Sequence, residues 1–423
     1  MVSLKGGVLK IEYEKENATR IVYEICFSIN IITIFAMYSV KMVATVTGLL
    51  TLAVAMLLWL GRKNKHIIIP YNTVWYLTLI IYIALSSIWA EYVAADFVSS
   101  LMRLVIILAM ITSISIYVDC AEDLERLMTV FIFSLTVVVI LELTSVPVSV
   151  WWQGAMGAHF SDFNPNELAF WSVCAETMAF YKFYIKRQRG YILLVALFIF
   201  MVVLSSSRKS MAASVVSPVF IIFLSFYKKN YLFKLLLVVA AAVGIFAFIM
   251  TNETAYQIIG RRFDSMIRYI NTDNQRADNS LYLREYFVGV AKQMFYESPL
   301  FGKGWGNFAM ILNNDYGAGK FYSHNNYWQL LSELGLVGLV MYYSFYVFCL
   351  IRLVRNAIIN KSRICYVFLS LLVILIIVES GYVTFNTKPI QIVLGMAYAA
   401  TYVGADDGRQ YKYIENNINE LEE

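Results

Sequence analysis

The residues of this chain best suited to chemistry are one histidine and two arginines. His324 lies directly before an apolar run, where the positive end of a helix dipole disfavours a protonated imidazole. Such an imidazole is neutral at pH 7 and can accept a proton, but a histidine that only hydrogen-bonds a carbonyl at the membrane interface is the alternative. Arg208 follows three serines at the tip of an apolar run, and Arg284 lies within a long polar segment. Guanidinium groups suit the forked recognition of phosphate, whereas interfacial or solvated arginines are the alternative.

Glycines and candidate helix caps flank the histidine. The GKGWG motif of residues 302–306, with Gly304 at its centre, could form a backbone nest for an anion. A plain turn is favoured, because no strand precedes the motif. Gly335 is predicted to share a helix face with His324 and to let a neighbouring helix approach. Asn325 is a candidate cap of the helix that follows the histidine.

Three charged residues are predicted to lie at membrane depth. Arg103, Glu142 and Glu379 fall in the outer third of their apolar runs. Burying one of them unpaired would cost at least about 2.5 kcal/mol, so each is expected to line a wet cavity or to pair with another. Our hypothesis is that they form, with Arg208, a polar chamber open to the outside; a structural Arg103–Glu142 pair is the alternative.

Long apolar helices must position these residues. Of the 423 residues, 60% are apolar and 15% charged, which disfavours a soluble enzyme. The sequence predicts an all-α polytopic membrane protein with about 12 transmembrane helices and a single membrane domain, 1–423. The predicted spans are 21–40, 42–60, 67–90, 97–118, 124–146, 167–185, 190–207, 211–227, 232–251, 326–351, 363–385 and 389–404.

Basic residues predict the orientation of the chain. Lys and Arg concentrate in the connections that face the cytoplasm if the N-terminus is cytoplasmic. No cleavage site follows the first segment, so the first apolar run is expected to remain as an anchor. The one long connection, 252–325 between spans 9 and 10, is then extracytoplasmic and too long for an idle linker. Helical spacing within it predicts helices over 255–270 and 281–297.

Several function classes have no support in the sequence. The five cysteines show no CxxC spacing, and the chain has no P-loop and no His/Cys cluster. We therefore expect no metal, no cofactor and no nucleic-acid partner. If chemistry occurs outside the membrane, arginines would supply the positive charge that a metal supplies elsewhere.

Taken together, these segments resemble the O-antigen ligase/polymerase superfamily. His324-Asn325, nine residues and then Gly335-Leu-Val-Gly resemble the pattern H-[NSQ]-x9-G-x-x-[GTY] of the ligases. The segment SPLFGKGWGNF after Arg284, SSSRKS at Arg208 and FNPNE at 163–167 are also similar to family segments, in family order. The resemblance spans about residues 155–340. Two departures are Lys209, where a glycine is common, and Trp305, which interrupts the glycines.

The resemblance implies a GT-C-like glycosyltransferase of the bacterial cytoplasmic (inner) membrane, with its active site facing outside. It implies metal-independent transfer of a glycan from undecaprenyl pyrophosphate to a sugar hydroxyl. Arg208 and Arg284 would bind the departing pyrophosphate, and His324 would take the proton of the acceptor hydroxyl. The substrate-binding candidates are Asn325, Arg103, Gly304 and Asn164.

We expect a Wzy-type polymerase that joins lipid-linked polysaccharide repeat units. The close alternative is an O-antigen ligase, which hands a finished glycan to lipid A–core or another acceptor. A flippase without chemistry is the alternative of another class, but it predicts charge along the whole central path and no long external loop. The expected partners are undecaprenyl-pyrophosphate-linked glycans, membrane lipids and a chain-length regulator protein.

Overall fold

A computed structural model of the chain describes residues 2–36, 41–61, 69–92, 97–151, 165–225 and 279–404, with a few single positions between 251 and 268. Side chains are described from residue 17 onward. Helices make up nearly all of these residues, and no strand occurs among them. The chain is thus an all-helical polytopic membrane protein, as the sequence predicted.

Fourteen α-helices, numbered here in chain order, are found in the described residues. They are α1 (Val2–Ala36), α2 (Lys41–Gly61), α3 (Tyr71–Leu85), α4 (Phe97–Tyr117), α5 (Ala121–Ser145), α6 (Val148–Trp151), α7 (Pro165–Tyr184), α8 (Tyr191–Leu204), α9 (Arg208–Ser225), α10 (Asn279–Glu297), α11 (Asn307–Asn314), α12 (Asn326–Ile358), α13 (Ile364–Val378) and α14 (388–404).

The predicted spans agree in position with these helices, although the helices at 167–185, 190–207 and 389–404 are not among those long and apolar enough to cross a membrane. Within the described ranges, 8 helices are long and apolar enough to cross a membrane. All the predicted spans except 232–251, which lies almost entirely outside the described residues, coincide with a helix. The helix predicted over 281–297 is confirmed as α10, whereas 255–270 lies largely outside the described residues.

Helix α7 forms the centre of the bundle. It packs against α5, α8, α9 and α13, and its residues from Leu168 to Ala179 are buried. Its Glu176 is fully buried and accepts a hydrogen bond of 2.5 Å from Ser214 on α9. Because other helices surround α7, it can carry a carboxylate such as Glu176 that a helix facing lipid could not, and it is less apolar than such a helix.

The two ends of the bundle differ in their charges. At one end, Arg20 bonds both Asp119 and Asp123, and Glu125 pairs with Lys182 at 3.3 Å. These salt bridges tie α1 and α7 to the beginning of α5. The opposite end, where α7, α9, α12 and α14 begin, carries the residues that were predicted to do chemistry.

Helix α12 is broken near its beginning, and a loop fills the break. Gly335 has φ 67° and ψ −166°, a left-handed conformation that favours glycine. The amides of Leu336 and Val337, freed by the break, donate to the carbonyls of Pro299 (2.9 Å) and Leu300 (3.2 Å). The loop between α10 and α11 is thereby fixed to the membrane helix below it.

Candidate functional site

His324 lies in an aromatic corner just before α12. Its backbone is in the left-handed region, with φ 55°. The imidazole stacks on Phe287 of α10, with ring centroids 6.1 Å apart, and contacts Tyr322 at 4.1 Å. The ring is half-buried, so one part of it remains open to a bound molecule.

Hydrogen bonds from its neighbours fix the position of this histidine. Asn325 caps α12 by accepting from the Trp328 amide at 3.1 Å, which confirms the predicted cap. The amide group of Asn325 also donates to the Ser380 carbonyl at 3.1 Å, which joins α12 to the end of α13. Asn325 therefore has a clear positioning role, and contact with a substrate remains a prediction.

The imidazole is neutral near pH 7. Burial, together with the smaller effect of the nearby charges of Arg284 and Lys209, lowers the pKa of His324 to about 4. The neutral state was predicted from the helix dipole, but in the structure burial and two cations are its causes. A neutral nitrogen beside cations can accept a proton when an anion offsets those cations.

Three cations meet at this corner. Arg208 and Lys209 begin α9, and Arg284 lies on the second turn of α10. The charges of Arg284 and Arg208 both act on the Lys209 ammonium, and those of Arg284 and Lys209 act on His324. Of the three residues predicted as catalytic, Arg284 thus lies close enough to act on His324, and Arg208 belongs to the same charge cluster through Lys209.

Lys209 is a member of the site that sequence reasoning missed. The only signal was that it departs from the glycine common in the family. Its ammonium packs against the backbone of Gly381, where even a Cβ atom would collide with it. The turn that presents both cations is held by the serines before them, since the Ser207 amide donates to the Ser205 hydroxyl at 3.2 Å.

Gly304 is part of a buried turn, the alternative favoured by the sequence. Its amide donates to the Glu333 carbonyl at 2.8 Å, and a Cβ atom there would approach Ser86 and Ala90 within 3 Å. The Lys303 amide likewise donates to the Ser332 carbonyl at 2.9 Å. Because these amides are occupied, Gly304 leaves no nest for an anion and is a structural residue.

Glu333 holds this turn from below and was also missed. Its buried carboxylate accepts from the Phe308 amide at 3.3 Å, at the beginning of α11, and from Gln329 at 2.9 Å. A carboxylate within an apolar run was the available sequence signal. It fastens α11 to α12 beside the break at Gly335.

Arg103 lies in a separate cavity at the same end of the bundle. It lines a cavity with Glu167 and Lys388 and acts electrostatically on both. No Arg103–Glu142 ion pair occurs among the described residues, and one oxygen of Glu142 is buried there without a hydrogen-bond partner. In place of the pairing considered from the sequence, Arg103 thus shares a cavity with charged residues of α7 and α14.

Glu379 does not line an open chamber. It is fully buried and accepts hydrogen bonds from Tyr343 (2.7 Å), Tyr346 (2.6 Å) and Thr384 (2.5 Å). Hydroxyl groups satisfy this carboxylate. It holds the segment after α13 in the position from which Ser380 and Gly381 contact the site.

We expect Glu379→Ala to destabilise the protein. Removing the carboxylate leaves buried hydroxyls without an acceptor, at a cost of about 1–3 kcal/mol. The midpoint of thermal unfolding in detergent should fall, and Glu379→Gln should fall less because it keeps one acceptor oxygen. Glu91→Ala, at a side chain that is 49% exposed, is the control and should unfold like the wild type. Equal midpoints for Glu379→Ala and the control would contradict this role.

Two remaining predictions concern groups that could hold a ligand. Asn164 lies outside the described residues. Within the described part of the chain, no group of three or more His, Cys, Asp or Glu side chains could hold a metal ion.

The fold and the site define a polytopic membrane protein with a neutral histidine beside cations at one end of its helices. The family described as O-antigen ligase matches residues 193–343, which include all three cations, His324 and Gly335. This match confirms the resemblance to the O-antigen ligase/polymerase superfamily and supports a glycosyltransferase-like activity on lipid-linked glycans in polysaccharide biosynthesis. No curated protein matches the chain.

Proposed function

We propose that the protein polymerises lipid-linked polysaccharide repeat units. The growing glycan would pass from undecaprenyl pyrophosphate to a sugar hydroxyl of the next lipid-linked unit. The observation that carries this proposal is the charge cluster of Arg208, Lys209 and Arg284, of which Lys209 and Arg284 act on a neutral His324. A doubly charged pyrophosphate and a hydroxyl that loses a proton are the two groups that such a set suits.

In the proposed transfer, His324 and the two arginines have separate roles. A His324 nitrogen takes the proton of the acceptor hydroxyl, and the acceptor oxygen forms a bond to the anomeric carbon of the donor sugar. The bond from that carbon to the pyrophosphate oxygen breaks, and its electron pair leaves with undecaprenyl pyrophosphate. Arg208 and Arg284 stabilise the negative charge that develops on the leaving group.

Donor binding would also prepare the base. Arg284 and Lys209 help to keep the pKa of His324 low in the free enzyme. A pyrophosphate bound between these cations offsets their charge, so the imidazole becomes more basic only when the donor is present. This coupling would keep the base weak in the free enzyme and strengthen it once the donor is bound.

Within this proposal, the positive charges take the place of a metal. The enzyme would lie in the bacterial cytoplasmic membrane with the site on the outer face, as the distribution of basic residues predicts. Activity that persists in excess chelator would support metal independence, and a loss restored by magnesium would contradict it. A chain-length regulator protein is a proposed partner.

Product length separates the candidate functions. We expect purified protein in detergent, given lipid-linked repeat units, to produce a ladder of glycans on the lipid carrier. A single product formed only with lipid A–core would instead assign the ligase. No product with either acceptor would favour the flippase. We prefer the polymerase because its donor and acceptor are both lipid pyrophosphates, and cationic residues lie at two places at this end of the bundle.

A further inference from the structure

A second cavity lies at the same end of the bundle as His324. It has a volume of about 350 Å³ and lies between the end of α1 and the beginnings of α2, α4, α7 and α14. None of the three catalytic candidates lines it. We propose that this cavity binds the pyrophosphate head of a second polyprenyl lipid, the acceptor; this rests on the polymerase function proposed above.

The polar wall of the cavity suits an anion. Arg103 of α4 and Lys388 of α14 both line it, together with the carboxylate of Glu167 on α7. The two cations repel each other, and Arg103 acts on both neighbours. A bound anion would relieve that repulsion, and two cations against one carboxylate leave the wall positive.

Helix ends add to this positive field. Lys388 is the first residue of α14, and Glu167 and Arg103 lie in the first two turns of α7 and α4. The N-terminal turn of a helix carries a partial positive charge and unpaired amides, both of which attract phosphate. Several such ends around one cavity favour an anion with more than one charge.

The other wall of the cavity is apolar and leads to the lipid-facing surface. Met42 of α2 and Met102 of α4 line it and are 76% and 59% exposed, whereas Ile106 below them is buried. Methionine surfaces adapt to irregular apolar chains. A phosphate lipid fits this arrangement, with its head at Arg103 and Lys388 and its tail passing between Met42 and Met102 into the membrane.

One segment of chain joins the cavity to the histidine site. Residues 379–388 connect α13 to α14. Gly381 packs against Lys209, and the next residue, Tyr382, hydrogen-bonds Glu167 in the cavity wall. Lys388 ends the segment. A sugar attached to a lipid head in the second cavity would therefore lie beside the donor site, where His324 could reach its hydroxyl.

Binding stoichiometry tests this proposal without relying on catalysis. Native mass spectrometry of the full chain with undecaprenyl pyrophosphate should show two lipids per wild-type protein. The double variant Arg103→Gln/Lys388→Gln should lose the lipid of the cavity and bind one. The double variant Arg208→Gln/Arg284→Gln should lose the lipid of the histidine site and also bind one. Each single cavity variant should weaken the second binding event about tenfold or more, the effect of losing one hydrogen bond to a charged group.

Matched variants and probes give every outcome a meaning. Arg189→Gln, an exposed arginine at the opposite end of α7, should leave two lipids bound. Arg103→Lys and Lys388→Arg keep the positive charge and should also bind two lipids. Their binding would show that the Gln variants lose a lipid because they lose charge and not because they misfold. Glu167→Gln should bind the second lipid at least as tightly as the wild type.

Three results would overturn the proposal. These are one lipid on the wild type, two lipids on the Arg103→Gln/Lys388→Gln protein, and equal occupancy by uncharged undecaprenol. If inorganic pyrophosphate displaces the second lipid at a concentration equal to that of the lipid, the cavity is instead a site for free phosphate compounds. Two bound lipids without a glycan ladder would contradict the polymerase function alone, and a ladder unaffected by the double variant would contradict the second site alone.

Discussion

His324→Ala is expected to reduce glycan transfer by about a hundred- to ten-thousandfold, the range that a positioned general base contributes. The residue would take the acceptor proton, and no second described imidazole lies beside Arg208, Lys209 and Arg284. Binding of undecaprenyl pyrophosphate should change little, because those cations remain. The measurement is the initial rate of ladder formation, with lipid binding followed in parallel.

Another histidine supplies the control for this variant. The sequence predicts that His66 faces the cytoplasm, on the side of the membrane opposite to the predicted active site, so His66→Ala should keep the wild-type rate. Full activity in His324→Ala would remove the histidine from the mechanism. Loss of both transfer and lipid binding would show that the side chain supports the site rather than the proton transfer.

The pH dependence of the rate gives a second test of the same residue. The pKa of His324 lies at about 4, below its ordinary value, so the neutral base is present above that pH and is lost as pH falls through it. The acid limb of kcat/KM, which reports the free enzyme, should therefore lie near pH 4. The limb of kcat should lie higher, because the bound pyrophosphate offsets the cations.

Lys209→Gln should move the acid limb of kcat/KM upward, since removing a nearby positive charge makes protonation of the imidazole easier. The disubstituted pyrophosphate of the donor stays ionised through this range, so the limb reports the enzyme. An acid limb that stays in place in Lys209→Gln would show that burial alone sets the pKa.

The order of the helices was accessible from the sequence, and so were the three residues that remain the candidates for catalysis. Runs of about 20 apolar residues specify membrane helices almost independently of their neighbours, because the lipid leaves the backbone no other option. His324, Arg208 and Arg284 stood out because polar groups at the ends of such runs are few. The alternation of the spans placed them on the same side of the membrane, but it did not show which of them are neighbours.

The sequence did not show which residues are the partners of the buried charged groups. Glu379 is satisfied by Tyr343 and Tyr346, whose hydroxyls lie one turn apart on another helix and look like ordinary apolar positions in the sequence. Arg103 shares a cavity with Glu167 of α7 and Lys388 of α14 and acts electrostatically on both, and it forms no ion pair with Glu142 within the described part of the chain. Such pairings depend on which helices are neighbours, and hydropathy carries no information on that choice.

The prediction that His324 and Gly335 share a helix face is wrong, because α12 is broken at Gly335. The helix begins only at Asn326, and Gly335 interrupts it. A glycine within an apolar run suggests close helix packing, since a left-handed residue leaves no mark on hydropathy. In the structure, Gly335 and Gly302 instead let two backbones meet, because a Cβ at Gly302 would collide with Glu333 and one at Gly335 with Leu300.

Gly335→Ala is therefore expected to prevent accumulation of folded protein. Alanine is strained at φ 67°, and its methyl group would collide with the backbone of Leu300, which cannot rotate away as a side chain would. Strain and overpacking together should cost about 3 kcal/mol or more. Size-exclusion chromatography in detergent should show little monodisperse protein, and the thermal midpoint of what remains should be lower.

Gly289→Ala is the matched control for Gly335→Ala, because Gly289 is an exposed glycine of α10 where an added methyl group would meet no atom within 4 Å. That change should be neutral or stabilise α10 by up to about 1 kcal/mol through helix propensity. If both variants fold like the wild type, the interlock between α12 and the 299–304 loop is dispensable. If only Gly335→Ala fails, the loop that carries Lys303 and Gly304 owes its position to the broken helix.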